Sequence, residues 1–170
     1  GDVGARQVED AELAQLREKE AMFELDPAVR VGRLLTAATA YLQGGDAAET
    51  RRVAQQCLNF DAHCLPALRL LAQLAGQENA WAELASLCDR LAEASTDLSN
   101  RLESCLRAAN LWSERVGDSA RALASLTVAL TDQPAQPEAF AHAERLLRGG
   151  ARFAELSRLY RRRIKAAPEG

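Results

Sequence analysis

The sequence predicts an all-α fold of stacked antiparallel helix pairs, and three observations carry that expectation. Apolar residues fill 48% of the 170 positions and aromatic ones only 5%, so most of the apolar content is Ala, Leu and other compact side chains. Ala and Leu are strong helix formers with little bulk, suited to close helix packing. The alternating Val, Ile and Thr runs that mark half-buried strands are absent. Third, a short phrase returns at nearly constant distance. Ala-Glu-Leu-x-x-Leu begins at Ala11, Ala82 and Ala154, steps of 71 and 72 residues. Self-similarity at a fixed period is the signature of a repeat array, in which each unit buries its apolar face against its neighbours.

A 34-residue unit brings the apolar positions into register when Gly45 and Gly117, the glycines of "QGGD" and "RVGD", are set at position 15. Units then begin at Val31, Leu65, Glu103 and Pro137. Position 4 reads Leu34, Leu68, Leu106 and Phe140, and position 7 reads Ala37, Leu71, Ala109 and Ala143. Position 10 reads Ala40, Leu74, Trp112 and Leu146. In the second half, position 20 reads Thr50, Leu84, Ala122 and Leu156, and position 24 reads Ala54, Cys88, Leu126 and Tyr160. Spacings of three, four and seven place these residues on one helical face, so each unit is two amphipathic helices and Leu106 is expected in the core.

Taken in order, residues 1–26 predict one leading helix of a partial repeat. Residues 27–64 form the first repeat, 65–95 the second, 96–134 the third and 135–170 the fourth. The turns inside the repeats fall at Gly44-Gly45, Asn79, Gly117 and Gly149-Gly150, because Gly and then Asn tolerate the left-handed conformation that ends a helix. Asp46 and Ser119 are the expected N-caps of the helices that follow. Pro27, Pro134 and Pro137 punctuate the junctions, where a helix must stop. "EDAELAQLR" reads as the second helix of a unit whose first helix lies upstream. "AAPEG" places Pro168 at position 32, where a further unit would start. The chain is therefore expected to be a segment of a longer protein.

This arrangement resembles the tetratricopeptide repeat (TPR) family. "GDSARALASLTVALTDQP" carries Gly117, Ala122, Leu126, Ala129 and Pro134 at the family's turn, packing and terminal positions, and the second unit has Leu68, Leu71, Ala72, Ala75 and Leu84 in register. Three residues depart from the pattern: Thr50 where the family prefers Ala, Glu144 where it has a small residue at position 8, and Arg163 at position 27. The resemblance implies a right-handed α-solenoid with a concave groove lined by the first helix of each unit.

Several function classes are disfavoured by the residues themselves. The glycine pairs lack the GK[ST] that contacts phosphate and Mg²⁺, and neither GxSxG nor HExxH occurs. His63 and His142 fall at different unit positions, and Cys57 holds a core position, so Cys57, His63 and Cys64 read as structural rather than metal-binding. Trp81 and Trp112 lie on apolar faces and read as core. No cofactor or metal is expected, and the chain is not read as an enzyme. The net charge of −3 opposes binding along a nucleic-acid backbone. No apolar run reaches the ~18 residues of a membrane span, and four cysteines without a CxxC suit reduced thiols in the cytoplasm.

What remains is a non-enzymatic protein–protein interaction scaffold. The resemblance implies a partner segment bound in the concave groove through Arg69, Gln73, Arg107, Leu111 and Arg145. Guanidinium groups hold carboxylates through paired hydrogen bonds, so the expected partner is a protein or peptide with an acidic segment. The family's two-carboxylate clamp needs Lys and Asn where this chain has Leu35 and Thr39, which disfavours a chaperone-type clamp. By analogy of fold, and from the Ala/Arg/Leu-rich composition, the parent is read as a larger bacterial signalling, motility or envelope-assembly protein. The alternative is self-association. Residues 1–26 carry eight acidic and three basic side chains, whereas residues 145–170 carry eight basic and two acidic. An acidic N-terminal helix meeting a basic C-terminal helix would assemble copies head to tail through Arg161, Arg162 and Arg163.

Overall fold

A computed structural model describes residues 2–166, and every regular element among them is helical. The all-α class expected from the sequence is thus observed, and consecutive helices pack in order within each of two compact units, residues 1–80 and 81–170. Pro168 lies outside the described residues.

The first unit holds α1 (Asp2–Met22), α2 (Pro27–Gln43), α3 (Ala47–Phe60) and α4 (Leu65–Gln77). Each start has a local cause. Asp26 caps α2, its carboxylate accepting from the amides of Ala28 and Val29, and Pro27 occupies the first turn, where no donor is lost. Asp46 caps α3 by accepting from the Glu49 amide. α1 packs along α2, and the buried residues of these helices are mostly small: Ala14 and Ala21 on α1, and Ala37, Ala38 and Ala40 on α2. Small side chains let the helix axes approach closely. A polar network ties three helices together. Arg52 on α3 holds Glu18 on α1 through two parallel hydrogen bonds of 2.8 Å, and the Tyr41 hydroxyl on α2 donates to the same carboxylate at 3.3 Å.

The second unit holds α5 (Trp81–Ala94), α6 (Leu98–Asn110), α7 (Ser119–Asp132), α8 (Pro137–Gly149) and α9 (Phe153–Ala166). α6 runs directly into a π-helical turn, Leu111–Val116. Asp89 on α5 accepts from the Trp112 indole at 2.8 Å and from the Ser125 hydroxyl of α7 at 2.6 Å. The buried indole N–H therefore has a partner, and three consecutive elements are locked together.

The left-handed turn residues recur at the spacing of the 34-residue register, and two of the expected turn positions are corrected. Position 15 is left-handed in all four units: Gly45 (φ 80°), Asn79 (φ 55°), Gly117 (φ 80°) and Ala151 (φ 53°). The fourth left-handed residue is thus Ala151, not either glycine of Gly149-Gly150. The geometry of the chain reversal sets the position, and the glycines lie just upstream of it. At the third turn the N-cap is Asp118, which accepts from the Arg121 amide at 2.9 Å, and not Ser119, which is the first helical residue.

A larger correction concerns α6. In three units the amide after the left-handed residue donates to a carbonyl five residues back: Asp46 to Tyr41, Ala80 to Ala75 and Arg152 to Leu147. In the third unit Asp118 reaches six residues back, to Trp112. One residue has been inserted, and the π-helical turn is where it is absorbed. Trp112 is therefore the counterpart of Tyr41, Ala75 and Leu147 rather than of Leu74. Upstream of the insertion the inward face moves by one, so Cys105, Ala108 and Ala109 are buried while Leu106 is only half-buried.

The three departures from the TPR pattern each have a local compensation. Thr50 is fully buried and its hydroxyl donates to the Asp46 carbonyl at 2.7 Å. Glu144 accepts from the Tyr160 hydroxyl and from Arg148. Arg163 lays its guanidinium over the Phe140 ring, 4.2 Å from the centroid.

Candidate functional site

The first helix of each repeat presents one exposed stripe, fixed by the helical period opposite its buried face. On α4 the stripe runs Pro66, Arg69, Gln73 and Gln77. On α6 it runs Glu103, Arg107 and Asn110, with Glu114 beyond in the π-helical turn, and on α8 Glu138, Ala141, Arg145 and Arg148. Arg69, Gln73, Arg107 and Arg145 are all exposed, and Leu111 is half-buried. Arg69 and Gln73 belong to the first compact unit, and Arg107, Leu111 and Arg145 to the second.

Local neutralisation of the three arginines would make them inert. Among the described residues none of them is ion-paired. Glu144, adjacent to Arg145, instead takes Arg148 at 2.8 Å, and Arg107 makes no ion pair with Glu103 one turn before it. Other surface arginines are engaged: Arg52 with Glu18 and Glu49, Arg51 with Glu78, and Arg152 with Glu155. The inserted residue in the π turn moves Arg107 one position along the repeat, so Leu106 and Asn110 stand where Arg69 and Gln73 stand on α4. Arg107 keeps its exposure but has Glu103 and Glu114 on its own stripe, and that stripe is the least attractive of the three to a carboxylate.

In the basic run, Arg161 and Arg162 are exposed on α9, whereas Arg163 is committed to the Phe140 ring. Trp112 is buried as core, but Trp81 is half-buried, with the Arg115 guanidinium 5.0 Å from its ring centroid. Phe140 also meets Tyr160 edge to face at 5.4 Å.

The titratable groups in the interior have structural explanations. Burial pushes the Cys57 thiol up to about 12, and those of Cys88 and Cys105 up to about 11, which keeps all three protonated and unreactive at neutral pH. Burial also holds His142 below its ordinary range. Its Nε2 lies 3.2 Å from the Ser113 hydroxyl, which resembles a nucleophile–base pair. However, the Ser113 hydroxyl already donates to the Ala109 carbonyl at 2.8 Å, so it accepts from the imidazole and cannot be activated by it. Among the described residues no group of three His, Cys, Asp or Glu side chains is placed to hold a metal ion, and no helix is long and apolar enough to cross a membrane.

No family model matches the chain, and no curated protein matches it. Among solved structures, a mutant of MamA is similar over 96% of both chains, at 15% identity and a TM-score of 0.47. The functional reading therefore rests on the residues of this chain.

Proposed function

We propose that the chain is a non-enzymatic, TPR-type binding scaffold that takes acidic segments of a partner protein on the exposed first-helix stripes within each unit. The observation that carries the reading is the state of Arg69, Arg107 and Arg145. Each is exposed on a first-helix stripe, and among the described residues none is ion-paired. A guanidinium in this state offers a planar fork to a carboxylate without first breaking an internal pair. Gln73 and Leu111 add a hydrogen-bonding amide and an apolar contact beside these charges. The unreactive thiols and the misdirected Ser113 hydroxyl favour binding over catalysis. A cytoplasmic bacterial signalling, motility or envelope-assembly protein is the setting we assign to such a scaffold.

The test is partner capture by the wild-type chain and by a variant with Arg69, Arg107 and Arg145 all changed to Glu. Helicity and melting should be nearly unchanged, because exposed charges contribute little to stability. Capture should weaken by about tenfold or more, with Arg69→Glu and Arg145→Glu accounting for most of the loss. Capture that survives the triple reversal would place the binding surface elsewhere.

A further inference from the structure

A second surface stands apart from these stripes. In the second unit, α7, α8 and α9 enclose a cleft of about 230 Å³. This is far beyond the roughly 10–15 Å³ that admits a single water, so the cleft is large enough for side chains. Leu123 and Leu130 of α7, Leu147 of α8 and Leu159 of α9 make it apolar, and Arg158 and Arg162 stand at its α9 edge. Arg158 and Arg162 are one helical turn apart, and Arg161 and Lys165 continue the positive face outward. Among the described residues none of these four cations is ion-paired, and the only carboxylate lining the cleft, Glu155, is held by Arg152 at 2.7 Å. An apolar cleft edged by unpaired guanidinium groups suits an amphipathic helix whose leucines are flanked by carboxylates.

The chain itself carries such a helix. α1 buries Ala14 and Ala21, and its outward side exposes Leu13 (45%) and Leu16 (53%) together with Glu9 and Glu12. Positions 9, 12, 13 and 16 are spaced by three, four and seven and share one face. Among the described residues Glu9 and Glu12 make no ion pair, whereas Glu18 and Glu20, elsewhere on α1, are taken by Arg52 and Arg17. Two free carboxylates one turn apart match two free guanidinium groups one turn apart, beside a leucine pair that fits a leucine-lined cleft. We infer that α1 of a second copy of this chain docks in the α7–α8–α9 cleft, with Leu13 and Leu16 inserted and Glu9 and Glu12 paired with Arg158 and Arg162. The contact is heterologous, one surface of each copy meeting a different surface of the next, so copies join head to tail. Arg163 takes no part, because it is stacked on Phe140.

Sedimentation velocity on the full chain tests this, at low ionic strength and at about 1 M salt, where screening acts within about 3 Å. The wild-type chain should associate at low salt and more weakly at high salt. Arg158→Glu with Arg162→Glu, and separately Glu9→Arg with Glu12→Arg, should each weaken association at least about tenfold while circular dichroism stays unchanged. All four changes in one chain should restore association to within about threefold of wild type. If the glutamates on α9 perturb folding, Arg158→Gln with Arg162→Gln should still weaken association.

A chain that stays monomeric at low salt overturns the inference. So does association that responds to the α9 changes but not to those on α1, which assigns the cleft to another segment. Failure of the four-fold variant to recover overturns it as well. Arg69, Arg107 and Arg145 are untouched in every variant, so the partner-binding reading stands or falls separately.

Discussion

At the scale of single residues, the turns show what one backbone conformation demands. Position 15 is left-handed in every unit, yet only two of the four residues there are glycine. Asn79 tolerates the conformation through its short polar side chain, but Ala151 pays a steric cost of about 1–2 kcal/mol that glycine avoids. Gly loses more chain entropy on folding, which offsets about 0.4–1 kcal/mol of the gain. Ala151→Gly should therefore stabilise the second unit by about 0.5–1 kcal/mol, seen as a higher midpoint in urea unfolding with an unchanged slope. A lower midpoint would mean that Ala151 is not left-handed in solution.

At the scale of elements, the π-helical turn after α6 redistributes the core of its unit. A strict 34-residue count puts Leu106 with Leu68, but the inserted residue gives the inward position to Cys105. Leu68→Ala, at a fully buried site, should cost about 2–5 kcal/mol through lost transfer energy and a residual cavity. Leu106→Ala should cost no more than about 1.5 kcal/mol, because the half-buried side chain already meets solvent and leaves little cavity. Equal losses from the two substitutions in chemical denaturation would remove the insertion. The π turn is held in place by tertiary contacts. The Trp112 indole is fastened to Asp89, and the Arg121 guanidinium lies 4.6 Å from the Trp112 ring centroid.

At the scale of the whole molecule, His142 and Glu18 make stability sensitive to acid in separate windows. His142 is buried and neutral, in contact with Ser113 and within the fields of Arg145, Glu114 and Glu138. Its folded-state value lies below 6.5, so the unfolded chain takes up the proton first as pH falls. The stability it contributes is complete above pH 6.5 and is lost progressively below it. Glu18 is held below 4.5 by its hydrogen bonds to Arg52, against the opposing effect of burial, and its contribution is lost only at lower pH still. Melting temperature should fall between pH 7 and pH 5, and His142→Gln, which keeps a donor for Ser113, should flatten that fall. An equally steep fall in the variant would assign the loss to other groups. The charge asymmetry of the chain belongs to the same scale: Glu18 and Glu20 of the acidic N-terminal helix are paired internally, whereas Glu9 and Glu12 have no ion pair among the described residues and are the carboxylates of the docking inferred above.

The sequence by itself determined whatever repeats locally. The left-handed residues Gly45, Asn79 and Gly117 and the Asp46 cap follow from interactions within a few residues, so they were legible in the 34-residue register, whereas the fourth, Ala151, was masked by the glycine pair just upstream. The all-α class followed from the same periodicity. Only the tertiary structure decided which partners meet across helices. Glu18 and Arg52 are 34 residues apart, Asp89 and Ser125 are 36 apart, and Arg163 reaches Phe140 from the next helix. The inserted residue in α6 was hidden for the same reason. A periodic pattern tolerates a one-residue shift when Leu106 and Cys105 are both apolar, and the choice between them is made by packing. The proposed interaction faces were legible as charges, but whether each charge is ion-paired depends on neighbours that only the folded chain brings together.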